Sequence, residues 1–130
     1  MRLRDDLDVT LFKEGVHGDT NATFFVGNVD ELSRRLVAVT RESLEKGIEA
    51  AKPGQPLYEI GRAIQTHAED NGFGVVRDFV GHGIGEQFHT DLQICHYYNP
   101  RLTDIIEPGM KINCQRLTLR SIRLTQPASQ

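Results

Sequence analysis

Asp8 and Asp19 stand eleven residues apart in LDVTLFKEGVHGDT, and that spacing constrains the chain more than any other feature. Leu7, Val9 and Leu11 alternate with Asp8, Thr10 and Phe12, the period-two pattern of a half-buried strand. Lys13-Glu14-Gly15 reads as a hairpin connection, with Gly15 free to take a positive φ. With Lys13 and Glu14 as the loop, Asp8 falls directly opposite Asp19. Opposed side chains have Cβ atoms about 4.5–5.5 Å apart, where two carboxylates repel by ~3 kcal/mol at an effective dielectric of about 20. Such a pair persists when a cation bridges it or when the two groups share a proton. Two solvent-facing aspartates are the plainer reading. Against it, Asp is depleted in strands, and Val16-His17-Gly18 and Thr20 suit a constrained backbone around Asp19. The pair asks for a metal ion.

A chain of 130 residues suffices for one domain with a modest core. With 38% hydrophobic and 25% charged residues it falls in the soluble globular class rather than the disordered one. A formal charge of −3 gives no global reason to bind nucleic acid or an anionic membrane. No apolar run approaches the ~20 residues of a membrane span. The N-terminal MRLRDDLD lacks the apolar core of a signal peptide. Cys95 and Cys114 are too few for a disulfide framework and are expected to be unpaired. The expectation is a cytoplasmic monomer with no nucleic-acid or membrane partner.

The strand pair is expected over roughly 5–12 and 16–26. Asp30 is placed to cap a helix over 31–51, whose stripe is Leu32, Leu36, Leu44, Ile48 and Ala51 before Pro53-Gly54. Pro56 opens a second helix with stripe Leu57, Ile60, Ile64 and Ala68, closing at Asn71-Gly72. VVRDFV at 75–80 reads as a third strand and Leu92 to Tyr98 as a further one. Ile105-Ile106 and Met110-Lys111-Ile112 flank a Pro108-Gly109 turn. From Pro108 onward four basic residues stand with no acidic one, and the sequence loses any clean period. Residues 113–130 therefore read as an atypical tail on a domain spanning 1–112.

FVGHGIGEQFH is the second chemical signal. Glycines on both sides of His82 remove side-chain bulk and let other groups approach its imidazole. His82 and His89, seven apart, can reach one cleft from a loop. His17, His67 and His96 lack comparable context, and His67 sits at the core edge of its helix. The GHGIG loop has neither the spacing of a dinucleotide fingerprint nor the Lys-Ser/Thr of a P-loop. Neither cysteine has a local partner for nucleophilic catalysis, and no serine sits in a GxSxG elbow. Carboxylates joined by histidine are donors for Mn, Fe, Co or Zn and suit a two-metal hydrolase.

Taken in order, LDVTLFKEGVHGDTNATFFVG, the KPG turn, HAEDNGFGVVRDFVGHGIGEQFH and EPGM resemble type I methionine aminopeptidases of bacterial flavour, over about residues 5–112. The resemblance implies part of a pita-bread (creatinase/aminopeptidase) α/β fold, with antiparallel strands and two helices packed on one face. It implies a metalloexopeptidase that removes N-terminal methionine from peptides and nascent polypeptides with two divalent ions (Co, Mn, Fe or Zn). By position, Asp8, Asp19 and His82 resemble metal ligands, and His89 the histidine that contacts the scissile peptide. Phe88 would line the methionine pocket, and Thr10 would support the metal ligands from behind.

The chain also departs from that pattern. Where the family carries Thr-Ile-Glu-Pro after the Gly-Met turn, this chain has Lys-Ile-Asn-Cys-Gln-Arg, so Gln115 stands in the place of a ligand glutamate. Ile106-Glu107-Pro108 precedes Gly-Met instead of following it, and Glu107 reads as an ordinary turn residue. A further ligand glutamate and the segment before the first aspartate have no counterpart. The expectation is a fragment that keeps three of five ligands, has impaired activity alone, and exposes strand edges and apolar faces. Two rivals are a non-catalytic pita-bread module that binds peptide or protein, and a proline dipeptidase of the same fold.

Overall fold

The alternating stretch at the N-terminus folds as a hairpin of β1 (Arg4–Lys13) and β2 (Val16–Phe25). The structure, a computed structural model, describes residues 4–114 and 122–124. Glu14 and Gly15 both take positive φ, 52° and 85°. These are the two central residues of a type I′ turn, whose twist matches that of the flanking strands. Lys13 is therefore a strand residue that pairs with Val16, and Asp8 faces Asn21 while Thr10 faces Asp19. The expected direct opposition of Asp8 and Asp19 is corrected by two positions. Gly15 belongs at the second place of the turn, so the loop is Glu14-Gly15 and not Lys13-Glu14. An even shift keeps both aspartates on one face, now as diagonal neighbours.

The alternation holds, but its faces are reversed from those of an ordinary half-buried strand. Leu7, Val9 and Leu11 are exposed, as is Phe24 on the partner strand. The half-buried positions of β2 are His17, Asp19, Asn21 and Thr23. The polar side of the ladder thus turns inward. The expected exposure of an apolar strand face is present here.

Asp30 caps α1 (Glu31–Ala50), its side chain accepting from the Ser33 amide at 2.9 Å. α2 (Tyr58–Asp70) follows the Pro53–Gly54 break and ends with Asn71 and a left-handed Gly72. Leu57, Ile60, Ile64 and Ala68 form a fully buried stripe from the start of α2 along its length. With Val39, Phe73, Ile94, Ile106 and Cys114 they make the core. His67 lies at its edge, 2.9 Å from a Glu42 carboxylate oxygen.

The expected strand at 75–80 is split. β3 (Phe73–Val75) and β4 (Val80–Gly83) are separated by a turn at Arg77 and Asp78. Two charged side chains interrupt the β-branched run there, and Arg77 lies over the Tyr97 ring at 4.8 Å. The strand expected at 92–98 is confined to β5 (Gln93–Cys95). β4 pairs antiparallel with β5 on one side and with β6 (Ile112–Asn113) on the other. β3 pairs antiparallel with β7 (Ile122–Leu124). All described pairings are antiparallel as expected, though they form three small ladders rather than one sheet.

Residues 104–106 are tied to the start of α2 by Leu57 N–H to Asp104 O (2.9 Å) and Ile106 N–H to Gln55 O (2.8 Å). Gly109, at φ 88°, then turns the chain toward β6. Of the expected 113–130 tail, Asn113 belongs to β6 and Cys114 to the core. Residues 115–121 and 125–130, Gln115 among them, lie outside the described residues. Among the described residues no helix is long and apolar enough to cross a membrane.

Candidate metal centre

The hairpin docks on the segment after β4 through one residue beyond its turn. The His17 amide donates to Gly85 O at 2.8 Å, and His17 Nδ1 lies 3.1 Å from the same oxygen. Two positions further along β2 the Asp19 side chain points inward and is only 4% exposed. A buried carboxylate needs donors on both oxygens. Thr10, directly across the ladder, gives its hydroxyl to Oδ1 at 2.9 Å. Asn113 gives its side-chain amide to Oδ2 at 2.7 Å from the opposite side of the site.

His82 is on β4, between two glycines that are required for close approach. A Cβ on Gly81 would strike the Asn113 carbonyl, and one on Gly83 would strike the Thr90 hydroxyl. Without those side chains, β6 and the loop at 90–92 pack directly on the backbone of β4 on either side of His82. His82 Nδ1 lies 3.0 Å from the Gly83 carbonyl oxygen. An Nδ1–H donated there fixes the tautomer and leaves a lone pair on Nε2. Nε2 is buried without a hydrogen-bond partner and stands 3.8 Å from Asp19 Oδ2.

Two lone-pair donors facing each other across a buried gap suit a cation. Ligand bonds of about 2.0–2.2 Å allow donors on one ion to lie at most roughly 4.2 Å apart. The observed 3.8 Å falls inside that limit. An imidazole nitrogen with a carboxylate oxygen is a donor set for Mn, Fe, Co or Zn. Asp8 stands one diagonal step away on the same hairpin face and is exposed. Among the described residues no three His, Cys, Asp or Glu side chains gather closely enough to hold one ion. The structure brings Asp19 and His82 together, with Asp8 on the same face of the hairpin.

Phe88 and His89 complete the neighbourhood. The His89 ring centroid is 4.1 Å from that of His82, and His89 is itself exposed. Phe88 packs edge-on to His82 at 5.5 Å and approaches His17 at 5.7 Å. Beside the pair lies a cavity of about 370 Å³, with His17, Gly18, Asp19 and Asn113 on its polar side and Leu44, Ile48 and Ile112 on its apolar side. Cys114 also lines it. Burial pushes that thiol up to about 11, so it is a poor nucleophile. Both cysteines are free, as expected.

The sequence reading missed His17 and Asn113. The first had a signal, because it stands two residues from Asp19 and so shares its strand face. Asn113 had none, since only the pairing of β6 with β4 brings it opposite His82.

Comparison with known proteins gives a consistent picture. Residues 7–115 match the profile of metallopeptidase family M24. Methionine aminopeptidase B of Synechocystis sp. is 52% identical over 105 residues, which are 81% of this chain and 38% of that protein. The crystal structure of methionine aminopeptidase from Rickettsia prowazekii superposes with a TM-score of 0.78 at 40% identity, over 82% of this chain and 43% of that one. A prolidase from Pyrococcus furiosus superposes with a TM-score of 0.70 at 25% identity, over 84% and 32% of the two chains. The chain thus spans about two fifths of the length of its methionine aminopeptidase relatives.

Proposed function

The chain belongs to metallopeptidase family M24, and on that premise we propose that it carries part of a divalent-metal aminopeptidase centre acting on N-terminal methionine. One observation carries the reading: the unpartnered Nε2 of His82 faces the buried Asp19 carboxylate across 3.8 Å. The substrate class rests on relatives named methionine aminopeptidase, at 52% identity over the shared region.

Asp19 and His82 would hold the ion, with Asp8 reaching a second one from the diagonal position. Mn, Fe, Co and Zn all suit these donors. When bound, such an ion supplies a Lewis acid and an activated water for hydrolysis. The chain's own groups orient and enclose. Thr10 fixes Asp19 Oδ1, and Gly83 O holds the His82 ring. His89 is placed to donate to a scissile peptide, and Phe88 offers an apolar wall for a methionine side chain. Nascent N-termini as substrate would place the chain in the cytoplasm.

Calorimetric titration of Mn²⁺ into the chain and into Asp19→Ala tests the site. Binding is expected in the first and not in the second; equal heats overturn the reading. The chain alone is expected to release negligible methionine from a Met-Ala-Ser peptide, because a ligand glutamate is replaced by Gln115. Robust turnover would show that another group serves in its place.

A further inference from the structure

A hydrogen-bonded carboxylate oxygen and imidazole nitrogen stand about 2.7–2.9 Å apart, a distance that Asp19 Oδ2 and His82 Nε2 do not reach. They stand at 3.8 Å instead. Two contacts oppose closure. On the His82 side, the Gly83 carbonyl lies 3.0 Å from Nδ1 and holds the ring from behind. On the Asp19 side, Asn113 Nδ2 donates to Oδ2 at 2.7 Å, the same oxygen that faces His82.

The position of Asn113 follows from the ladder. It is the direct cross-strand partner of His82 in the β4–β6 pair. Side chains so paired share a face, with Cβ atoms about 4.5–5.5 Å apart. The imidazole and the carboxamide therefore leave the sheet side by side and converge on one carboxylate oxygen of a different ladder. Asn113 is 5% exposed, and its approach depends on Gly81, where a Cβ would strike the Asn113 carbonyl. A buried amide in that place does two things at once: it satisfies Oδ2, and it fixes the carboxylate at a distance from Nε2 that one ion can span.

We infer that Asn113 is a positioning residue for cation capture: its amide holds Asp19 Oδ2 off His82 and keeps the gap between them ion-sized. The inference rests on the metal-centre reading above and adds to it a residue from β6. Its neutral donor leaves the charge of Asp19 available to the ion, which a lysine or arginine in the same place would cancel. Hydrogen bonds to ligating carboxylates typically govern metal affinity by about 10–100-fold.

The test uses the full chain with Mn²⁺ as the probe, followed by calorimetry and by the electron paramagnetic signal of free Mn²⁺. Asn113→Thr and Asn113→Val form the informative pair, since both are β-branched, of equal size, and differ in one hydroxyl donor. Asn113→Val is expected to bind Mn²⁺ about 10–100-fold more weakly than the parent, with Asn113→Thr recovering to within about threefold. The visible spectrum of bound Co²⁺ should follow the same division, with Asn113→Thr parent-like and Asn113→Val altered. Equal affinities and spectra for two folded variants overturn the inference. Should Asn113→Val fail to fold by circular dichroism, Asn113→Thr decides alone. Parent-like binding then supports the inference, and a folded variant weakened tenfold or more overturns it. A parent chain indistinguishable from Asp19→Ala brings down the metal-centre reading and this inference together. A parent that binds, with equal threonine and valine variants, brings down the inference alone.

Discussion

His82 Nε2 and Asp19 Oδ2 face each other at 3.8 Å, with their side chains only 7% and 4% exposed. They come from two ladders that share no strand pairing. Whatever sets that distance is tertiary: the hairpin register on one side and the glycine-framed β4 on the other.

Thr10→Val removes the donor to Asp19 Oδ1 while conserving shape. Mn²⁺ affinity should fall about tenfold. Stability should fall by about 1–3 kcal/mol, because the buried Asp19 oxygen loses its donor. Titration beside urea denaturation separates the two effects.

Glu14→Asn should stabilise the chain by roughly 0.5–1 kcal/mol. Glu14 holds φ 52° without being glycine, and Asn tolerates that region at lower cost. Thermal unfolding should shift upward by a few degrees, with Mn²⁺ affinity unchanged because the register is unchanged.

Gly81→Ala should destabilise by about 1–3 kcal/mol through overpacking. The new methyl would meet the Asn113 carbonyl, which is backbone and cannot swing aside. A lowered urea midpoint is expected together with weakened Mn²⁺ binding, since β6 must move and carry Asn113 with it.

His96 governs the acid limb of stability. It is fully buried, neither ring nitrogen has a hydrogen-bond partner, and burial pushes its pKa down to about 4 from 6.5. Between those values the unfolded chain binds the proton and the folded chain does not. Stability is therefore whole above about pH 6.5 and declines as pH falls toward 4, by about 3 kcal/mol in all. Denaturation midpoints measured from pH 7 to pH 4 should show this slope, and His96→Leu should flatten it.

Much of this was legible in the sequence because its signals were local. The hairpin, both helices with their Asp30 and Asn71-Gly72 ends, and the glycines around His82 each depend on residues within a few positions. The register was misread by two positions because the sequence does not say which two of Lys13-Glu14-Gly15 form the loop. Backbone twist makes that choice by requiring positive φ at both loop residues. The strand at 75–80 was overextended because β-branched flanks outweighed the charges at Arg77 and Asp78. Asn113 was illegible for a different reason: its role exists only through a pairing across thirty-one residues.

The reversed hairpin carries a practical consequence. Leu7, Val9, Leu11 and Phe24 occupy the side of the ladder that hydrophobic patterning alone would assign to the interior, yet they meet water. Lysine or glutamate at Val9 and Leu11 should therefore improve solubility while leaving the carboxylate and imidazole undisturbed on the other side.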